Sequence, residues 1–113
     1  MQPVSERSVC VVIDIPTMTV EQYDVVTERL GWTGRRPAVP DGLLVHAAGP
    51  TTSGWRIVDV WRDERSFRRF SSTSVAAAVQ GLGLPAYEPQ VFPLHHSLGL
   101  AAGDDRGGRA PGG

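Results

Sequence analysis

The sequence predicts an α+β domain whose strands and helices follow one another in the order βαββαβ. Three observations predict this order. Apolar, β-branched runs of strand length recur along the chain, two segments between them carry apolar residues at helical spacing behind good N-cap residues, and Gly and Pro separate the segments. A chain of 113 residues has the length of one ordinary domain. We therefore do not expect a long multidomain enzyme.

The first part of the chain predicts one strand and one helix. Residues 8–15 (SVCVVIDI) are apolar or β-branched at nearly every position, which is typical of a strand buried on both faces, and Pro16 ends it. Thr19 stands three residues before Gln22, which is the spacing of a capping box. Apolar residues then recur at helical spacing over about residues 20–30, where we expect the first helix.

The remainder predicts a hairpin, a second helix and a last strand. Residues 43–49 and 54–62 are strand-like and flank a short turn, so we expect them to pair. Asp63 is a good N-cap for a helix that ends near Gly81, and a final strand is expected over residues 90–98. The inward stripe of the second helix is expected to contain Phe67, Phe70, Ser74 and either Ala77 or Ala78.

This element order is typical of a ferredoxin-like plait, in which a four-stranded antiparallel sheet carries two helices on one face. We place that domain at residues 8–100. Residues 1–7 are expected to form a flexible N-terminus, and residues 101–113 a disordered tail, because the tail has almost nothing to bury.

Both faces of the predicted sheet are apolar. On the first strand the two alternating sets are Val9, Val11, Ile13 and Ile15 on one side and Cys10 and Val12 on the other. Two helices cover only one face of a four-stranded sheet, so the other face would leave a contiguous apolar patch in water. We therefore expect a homodimer in which two sheets pack face to face as a dimeric α+β barrel, with a different partner protein as the alternative cover.

Charge and cysteine content exclude several classes of partner. Eleven basic residues against twelve acidic ones give a net charge of −1, so no excess of cation is available to bind nucleic acid or an anionic membrane. No run of about 18 apolar residues is present. The single cysteine, Cys10, cannot form an internal disulfide, and no Cys/His spacing typical of a metal site occurs. We expect a cytoplasmic protein without metal or organic cofactor.

Residues 42–70 (GLLVHAAGPTTSGWRIVDVWRDERSFRRF) carry a recognisable pattern. A strand ending in V-x-V-W, here Val58 to Trp61, is followed by an acidic helix start with Ser-Phe, here residues 63–67. The pattern resembles the dimeric α+β barrel superfamily, and within it the antibiotic biosynthesis monooxygenase family, over about residues 8–99. Members of that family include cofactor-free oxygenases of polycyclic phenols, haem-degrading monooxygenases, polyketide cyclases, lactone isomerases and proteins of no known activity. The resemblance therefore implies the fold more specifically than the reaction.

One branch of the family can be compared residue by residue. The haem-degrading members are similar around Trp61, which matches a Trp lining their pocket, and they carry a haem-ligating His about ten residues later on the second helix. Ser71 holds that place here, and no His occurs between His46 and His95. We therefore expect no haem.

His46 is the residue that we expect to carry chemistry. If the hairpin closes symmetrically around residues 50–53, His46 lies opposite Ile57. The residues expected to share its face are Trp55, Asp59 and Trp61. The family resemblance implies that Trp61 points into the space between the sheet and the helices, so this face should line a pocket.

Such a set suits proton abstraction from a flat aromatic or polyketide-like substrate. His46 is expected to act as the base, Asp59 to orient it and stabilise its imidazolium, and Trp55 and Trp61 to stack on the substrate. The alternative interpretation is that His46 satisfies a backbone carbonyl in a packed core, with Asp59 as a cap or Arg partner and both indoles as plain core.

Three further residues are candidates for substrate binding. Tyr23 either donates a hydrogen bond to a substrate oxygen or serves only in a hydrophobic staple with Met18. The more apolar set of the last strand, expected to face the helices, is Phe92, Leu94, His96 and Leu98. This set puts His96 near the pocket and His95 on the dimer side. Arg36, in the loop before the second strand, could steer an anionic substrate.

Three functions are compatible with these features. The first is a cofactor-independent tailoring enzyme, similar to the antibiotic biosynthesis monooxygenases, that removes a proton from a phenolic or polyketide-like substrate. The second is a cyclase, dehydratase or isomerase that uses the same base without oxygen. The third is a non-catalytic ligand-binding barrel. The sequence by itself does not separate them.

Overall fold

The computed structural model describes residues 7–99. The elements are β1 (Val9–Pro16), α1 (Val20–Arg29), β2 (Leu43–Pro50), β3 (Gly54–Trp61), α2 (Glu64–Phe70), a π-helical segment (Ser71–Val75), α3 (Ala76–Ala78) and β4 (Gln90–Pro93). None of the helices within residues 7–99 is long and apolar enough to cross a membrane. The expected N-terminal segment, apart from Arg7, and the expected tail over residues 101–113 lie outside the described residues.

The four strands form one antiparallel sheet in the order β2-β3-β1-β4. The central strands β1 and β3 pair over their whole lengths, from Val9 opposite Trp61 to Pro16 opposite Gly54. The helices pack on one face of this sheet. The predicted ferredoxin-like α+β fold is therefore confirmed.

The core lies between the sheet and the helices. Its β1 members, each at most 9% exposed, are Val9, Val11, Ile13 and Ile15. Alternation along the strand turns Cys10 and Val12 to the opposite side, where both are only partly covered. Val26 from α1, Phe67 from α2 and Ala78 from α3 close the core from the helical side.

The β2–β3 hairpin is shifted by two residues from the predicted register. His46 lies opposite Asp59 rather than opposite Ile57. The chain turns between Thr51 and Gly54, where the Thr51 amide donates to the Gly54 carbonyl at 2.9 Å and the Gly54 amide donates to Thr51 Oγ1 at 3.1 Å. Because the shift is even, His46 and the residues after it keep their predicted faces, whereas a bulge between Leu43 and Val45 turns Leu43 to the side of Trp61 and the core. The shift moves Asp59 from a diagonal position to one directly across from His46.

Helix α1 begins at the predicted capping box. Thr19 Oγ1 accepts the Gln22 amide at 3.2 Å, and Gln22 Oε1 accepts the Thr19 amide at 3.0 Å. At the other end of α1, Arg29 donates to the carbonyls of Ala78 at 3.0 Å and Gln80 at 2.9 Å. Arg29 thus ties the end of α1 to the end of α3 through carbonyls that the helix itself leaves without a donor.

The second helical region departs from a regular α-helix in its middle. It starts at the predicted N-cap, Asp63, and after α2 it widens into the π-helical segment. The extra residue of a π turn rotates the next helical turn relative to an uninterrupted α-helix, and Ala78 is buried whereas Ser74 is exposed. The prediction that Ser74 belongs to the inward stripe is wrong. Of the two alternatives Ala77 and Ala78, the structure selects Ala78.

Strand β4 is shorter than predicted. It ends at Pro93; the Leu94 amide still donates to the Ser8 carbonyl at 2.9 Å, and residues 95–98 lie beyond the sheet. The β1–β4 register places Phe92 opposite Cys10, on the side away from the helices. Phe92 is 46% exposed and Leu98 is 90% exposed. The prediction that these two residues face the helices is wrong.

The side of the sheet opposite the helices, here called the outer face, is apolar along its centre. Its apolar members are Cys10, Val12, Val45, Val58, Val60 and Phe92. Val58 is 40% exposed in the single chain. Arg56 and Asp14 form an ion pair at 2.7 Å on the same face. The single chain therefore leaves an apolar sheet surface uncovered.

Candidate active site

A narrow cavity lies between the sheet and the helices. It measures about 610 Å³ counted to its open mouth, and the centre of a water molecule can move through about 60 Å³ of it. A space of this size holds a few water molecules, or about one flat ring. Its wall is mostly apolar, with polar groups contributed by Tyr23, Thr27, His46, Asp59, Ser71 and Tyr87.

Tyr23, His46 and Asp59 form a continuous hydrogen-bonded chain in this wall. The Tyr23 hydroxyl lies 2.5 Å from His46 Nε2, and His46 Nδ1 lies 2.7 Å from Asp59 Oδ1. The second oxygen of that carboxylate, Oδ2, accepts the indole N–H of Trp61 at 3.1 Å. Asp59 is only 5% exposed, so its negative charge is held by these two donors rather than by bulk water.

The contacts assign the protons of this network. An ionised Asp59 can only accept hydrogen bonds, so His46 Nδ1 donates to it, and the neutral imidazole then has its lone pair on Nε2. The Tyr23 hydroxyl donates to that lone pair. Burial, with the negative charges of Asp59 and then Asp24 adding to it, raises the pKa of the Tyr23 hydroxyl. The site therefore places the Nε2 atom of an imidazole beside a phenol that keeps its proton at neutral pH.

Three elements position this network. His46 on β2 and Asp59 on β3 are direct cross-strand partners, so the ladder sets the spacing of the pair. Tyr23 lies in the first turn of α1, where the Thr19 capping box fixes the start of the helix. The Tyr23 ring is parallel to the His46 ring to within 1° and stacks on Trp55 with centroids 4.7 Å apart.

Trp55 and Trp61 lie behind the cavity wall and do not form its surface. Trp61 has no exposed area and Trp55 is 6% exposed, and neither lines the cavity. The expectation that both indoles stack on a substrate is therefore corrected. Trp61 holds the Asp59 carboxylate, and Trp55 supports the ring of Tyr23.

His96 and Arg36 do not reach the cavity. His96 is exposed beyond the end of β4, as is His95, because the strand alternation that would orient them stops at Pro93. Arg36 is exposed in the loop between α1 and β2, and its steering of an anion stays a prediction. Among residues 7–99, no group of three or more His, Cys, Asp or Glu side chains could hold a metal ion.

Trp32 is a site residue that the sequence pattern did not reveal. Its indole packs edge-on against the His46 ring with centroids 4.7 Å apart, and stacks on Phe70 at 5.7 Å. Trp32 Nε1 is buried and has no hydrogen-bond partner. The one signal for it is an aromatic residue directly after the helix-ending Gly31, at the start of a loop rich in Gly, Pro and Arg, since loops often carry binding residues.

Comparison with known proteins places the architecture. No protein-family model and no curated protein matches the chain. Among solved structures, a variant of SnoaB, a cofactor-independent oxygenase from Streptomyces nogalater, superposes with a TM-score of 0.55 at 20% identity over 82% of this chain and 98% of its own. A protein from Deinococcus radiodurans described as a candidate antibiotic biosynthesis monooxygenase gives 0.55 at 11% identity over 80% and 95%. The chain has the antibiotic biosynthesis monooxygenase fold.

This monooxygenase fold is the architecture that the pattern in residues 42–70 implies, so the resemblance is confirmed at the level of the fold. A protein from Bacteroides thetaiotaomicron described as a possible oxidoreductase has it as well, with a TM-score of 0.51 at 9% identity over 80% of this chain and all of its own. At such identities the monooxygenase fold is shared while the reaction has to be argued from the site.

Proposed function

We propose that this protein is a tailoring enzyme that removes a proton from a phenolic or polyketide-like small molecule, with His46 as the base and without a metal or organic cofactor. The observation that carries the proposal is the hydrogen-bonded chain Tyr23–His46–Asp59 in the wall of an apolar cavity. The description of SnoaB as a cofactor-independent oxygenase supports the same chemistry on this fold.

In the proposed reaction the substrate takes the place of the Tyr23 hydroxyl at His46 Nε2. The imidazole accepts the substrate proton, and the Asp59 carboxylate stabilises the imidazolium through Nδ1. Tyr23, whose raised pKa keeps the hydroxyl protonated, then donates to the phenolate or enolate oxygen that forms. The apolar wall strengthens both interactions by keeping water away from the charges.

Two reactions can proceed from the same carbanion. With molecular oxygen, a CH₂ group next to the activated ring becomes C=O, one oxygen atom enters the product and the other leaves as water. Without oxygen, the carbanion cyclises, eliminates water or shifts a double bond. SnoaB supports the first reaction, and the second is the alternative because the base is the same.

Proton removal can be tested before the natural substrate is identified. The probe is 2-tetralone, a bicyclic ketone with an acidic CH₂ between the aromatic ring and the carbonyl, and the exchange of this CH₂ in D₂O under argon is followed by NMR. We expect the protein to accelerate exchange above buffer and His46→Ala to lower that rate about 10²–10⁴-fold. His95→Ala is the matched control, because His95 is exposed outside the cavity.

The outcomes separate the candidate functions. If His46→Gln and His46→Ala both fold, by circular dichroism, and keep the parent rate, the base assignment is wrong. If the parent does not exceed buffer, the non-catalytic binding barrel is favoured. Oxygen uptake on admitting air, together with a product that has gained one oxygen and lost two hydrogens, would favour the oxygenase over the cyclase or isomerase.

A homodimer and a cytoplasmic location are part of the proposal. The outer face is apolar over β1, β3 and β4, with Val58 40% and Phe92 46% exposed in the single chain. A second copy, packed sheet to sheet, would remove this surface from water. Cys10 is free and lies on this face, which suits a reducing compartment.

A further inference from the structure

The three indole N–H groups of this chain are in different situations. Trp61 donates to Asp59, whereas the Nε1 atoms of Trp55 and Trp32 are buried without a partner. Of these two, only Trp32 lines the cavity that contains His46. A buried donor without an acceptor is unfavourable unless something binds to it. Trp32 is therefore the indole at which an incoming ligand could supply the missing acceptor.

The Trp32 side chain also lines two neighbouring spaces. On one side is the cavity with His46, and on the other is a larger space, here called the outer cleft, between the α1–β2 loop and helix α2. The outer cleft measures about 1050 Å³ counted to its mouth, and the centre of a water molecule can move through about 540 Å³ of it. Leu30, Trp32 and Phe70 line both spaces, so a ligand larger than one ring reaches the outer cleft by displacing Trp32 or its stacking partner Phe70.

The outer cleft is positively charged. Arg69 lies in its wall, is exposed, and has no ion-pair partner within the described part of the chain. Arg29 also lines it and keeps its charge while donating to two carbonyls of the chain. The one acidic side chain in this wall, Asp41, pairs with Arg62 at 3.1 Å, and Arg62 also pairs with Asp63 at 3.5 Å, so the wall itself carries two Arg side chains against one Asp. An acidic ligand group is the complement of such a surface.

We propose that the substrate site extends from the cavity past Trp32 into the outer cleft, and that it takes a flat oxygenated ring system carrying a carboxylate. Trp32 Nε1–H donates to a ring oxygen held beside His46, and Arg69 binds the carboxylate at the far end. This inference rests on the proposed function for the placement of the reacting ring, and it adds the acidic group and the two residues that select it.

The test measures binding by calorimetry with two probes. One is 2-naphthol, and the other is 6-hydroxy-2-naphthoic acid, which has the same rings and hydroxyl with a carboxylate at the opposite end. We expect the parent to bind the acid more tightly. Trp32→Phe should weaken both probes about 3- to 10-fold, the worth of one neutral hydrogen bond. Arg69→Gln should weaken only the acid, by a similar factor that shrinks with added salt.

Arg68→Gln is the matched control for Arg69→Gln, because it removes a neighbouring charge that is paired with Glu64. It should bind both probes like the parent. The inference is overturned if neither probe binds, if Trp32→Phe binds both probes as tightly as the parent, or if Arg69→Gln binds the acid as tightly as the parent or loses both probes equally. These experiments measure binding and not turnover. They therefore test the binding site even if His46 proves not to be a base.

Discussion

Replacing Asp59 by Asn tests the network at its buried centre. The Asp59 carboxylate accepts from His46 Nδ1 at 2.7 Å and from Trp61 Nε1 at 3.1 Å. An amide has one acceptor atom, so it can serve only one of these donors well. If its oxygen faces Nδ1, its NH₂ meets the Trp61 N–H, and a buried donor is left unpaired. If its NH₂ faces Nδ1, the imidazole must move its proton to Nε2 and ceases to be a base there.

Both arrangements should give a measurable loss of stability or of exchange rate. An unpaired buried donor costs about 1–3 kcal/mol of stability, which denaturant unfolding can resolve. The rate of 2-tetralone exchange should fall by up to about 10⁴-fold, since replacing the orienting Asp of a catalytic histidine by Asn leaves the imidazole in the wrong tautomer. Nitrogen NMR of the His46 ring should show a larger fraction protonated at Nε2 in Asp59→Asn than in the parent.

Asp24→Asn is the matched control for this variant. Asp24 is exposed on α1 and acts on the site only through its charge, which helps to raise the pKa of Tyr23. Its replacement should leave the exchange rate within about twofold of the parent, as expected for a surface substitution. An Asp59→Asn protein that keeps the parent rate, stability and His46 tautomer would refute the reasoning about the network.

The remaining predictions concern titration, assembly and backbone. Burial raises the pKa of both tyrosines, Tyr23 and Tyr87. Their contribution to the free energy of unfolding should therefore be fully present below about pH 10 and be lost as the pH rises through the raised pKa values. Tyrosinate absorbance should appear at a higher pH in the folded protein than in the unfolded chain. Light scattering should give twice the mass of one chain, and Val58→Glu, which puts a charge on the outer face, should give the monomer; a monomeric parent would contradict the dimer. Gly42→Ala should destabilise the protein by more than Gly34→Ala. Both glycines have φ above +90°, but only at Gly42 would the new Cβ clash, 2.6 Å from the Cβ of Ser66. Equal losses of unfolding free energy in urea would show that this clash does not contribute.

Local signals in the sequence determined the elements and the faces of this protein. The capping box of Thr19 and the N-cap Asp63 start the helices at the expected residues, because those side chains satisfy amides within their own turn. The predicted pairing of β2 with β3 placed Asp59 and His46 on one side of the sheet, and the family resemblance at Trp61 implied that this side faces the helices. That prediction survived a wrong hairpin register because the error was an even number of residues.

Contacts between distant segments decided what the site is. The meeting of Tyr23 with His46 depends on how α1 lies across β2, and the two residues share no local pattern in the sequence. The burial of Trp61 behind Asp59 and the exposure of His96 result from packing and from the early end of β4 at Pro93. The position of Trp32 is set by a loop whose path the sequence does not encode locally. Periodicity reports which side a residue faces, whereas only the packed chain determines which groups come within hydrogen-bonding distance.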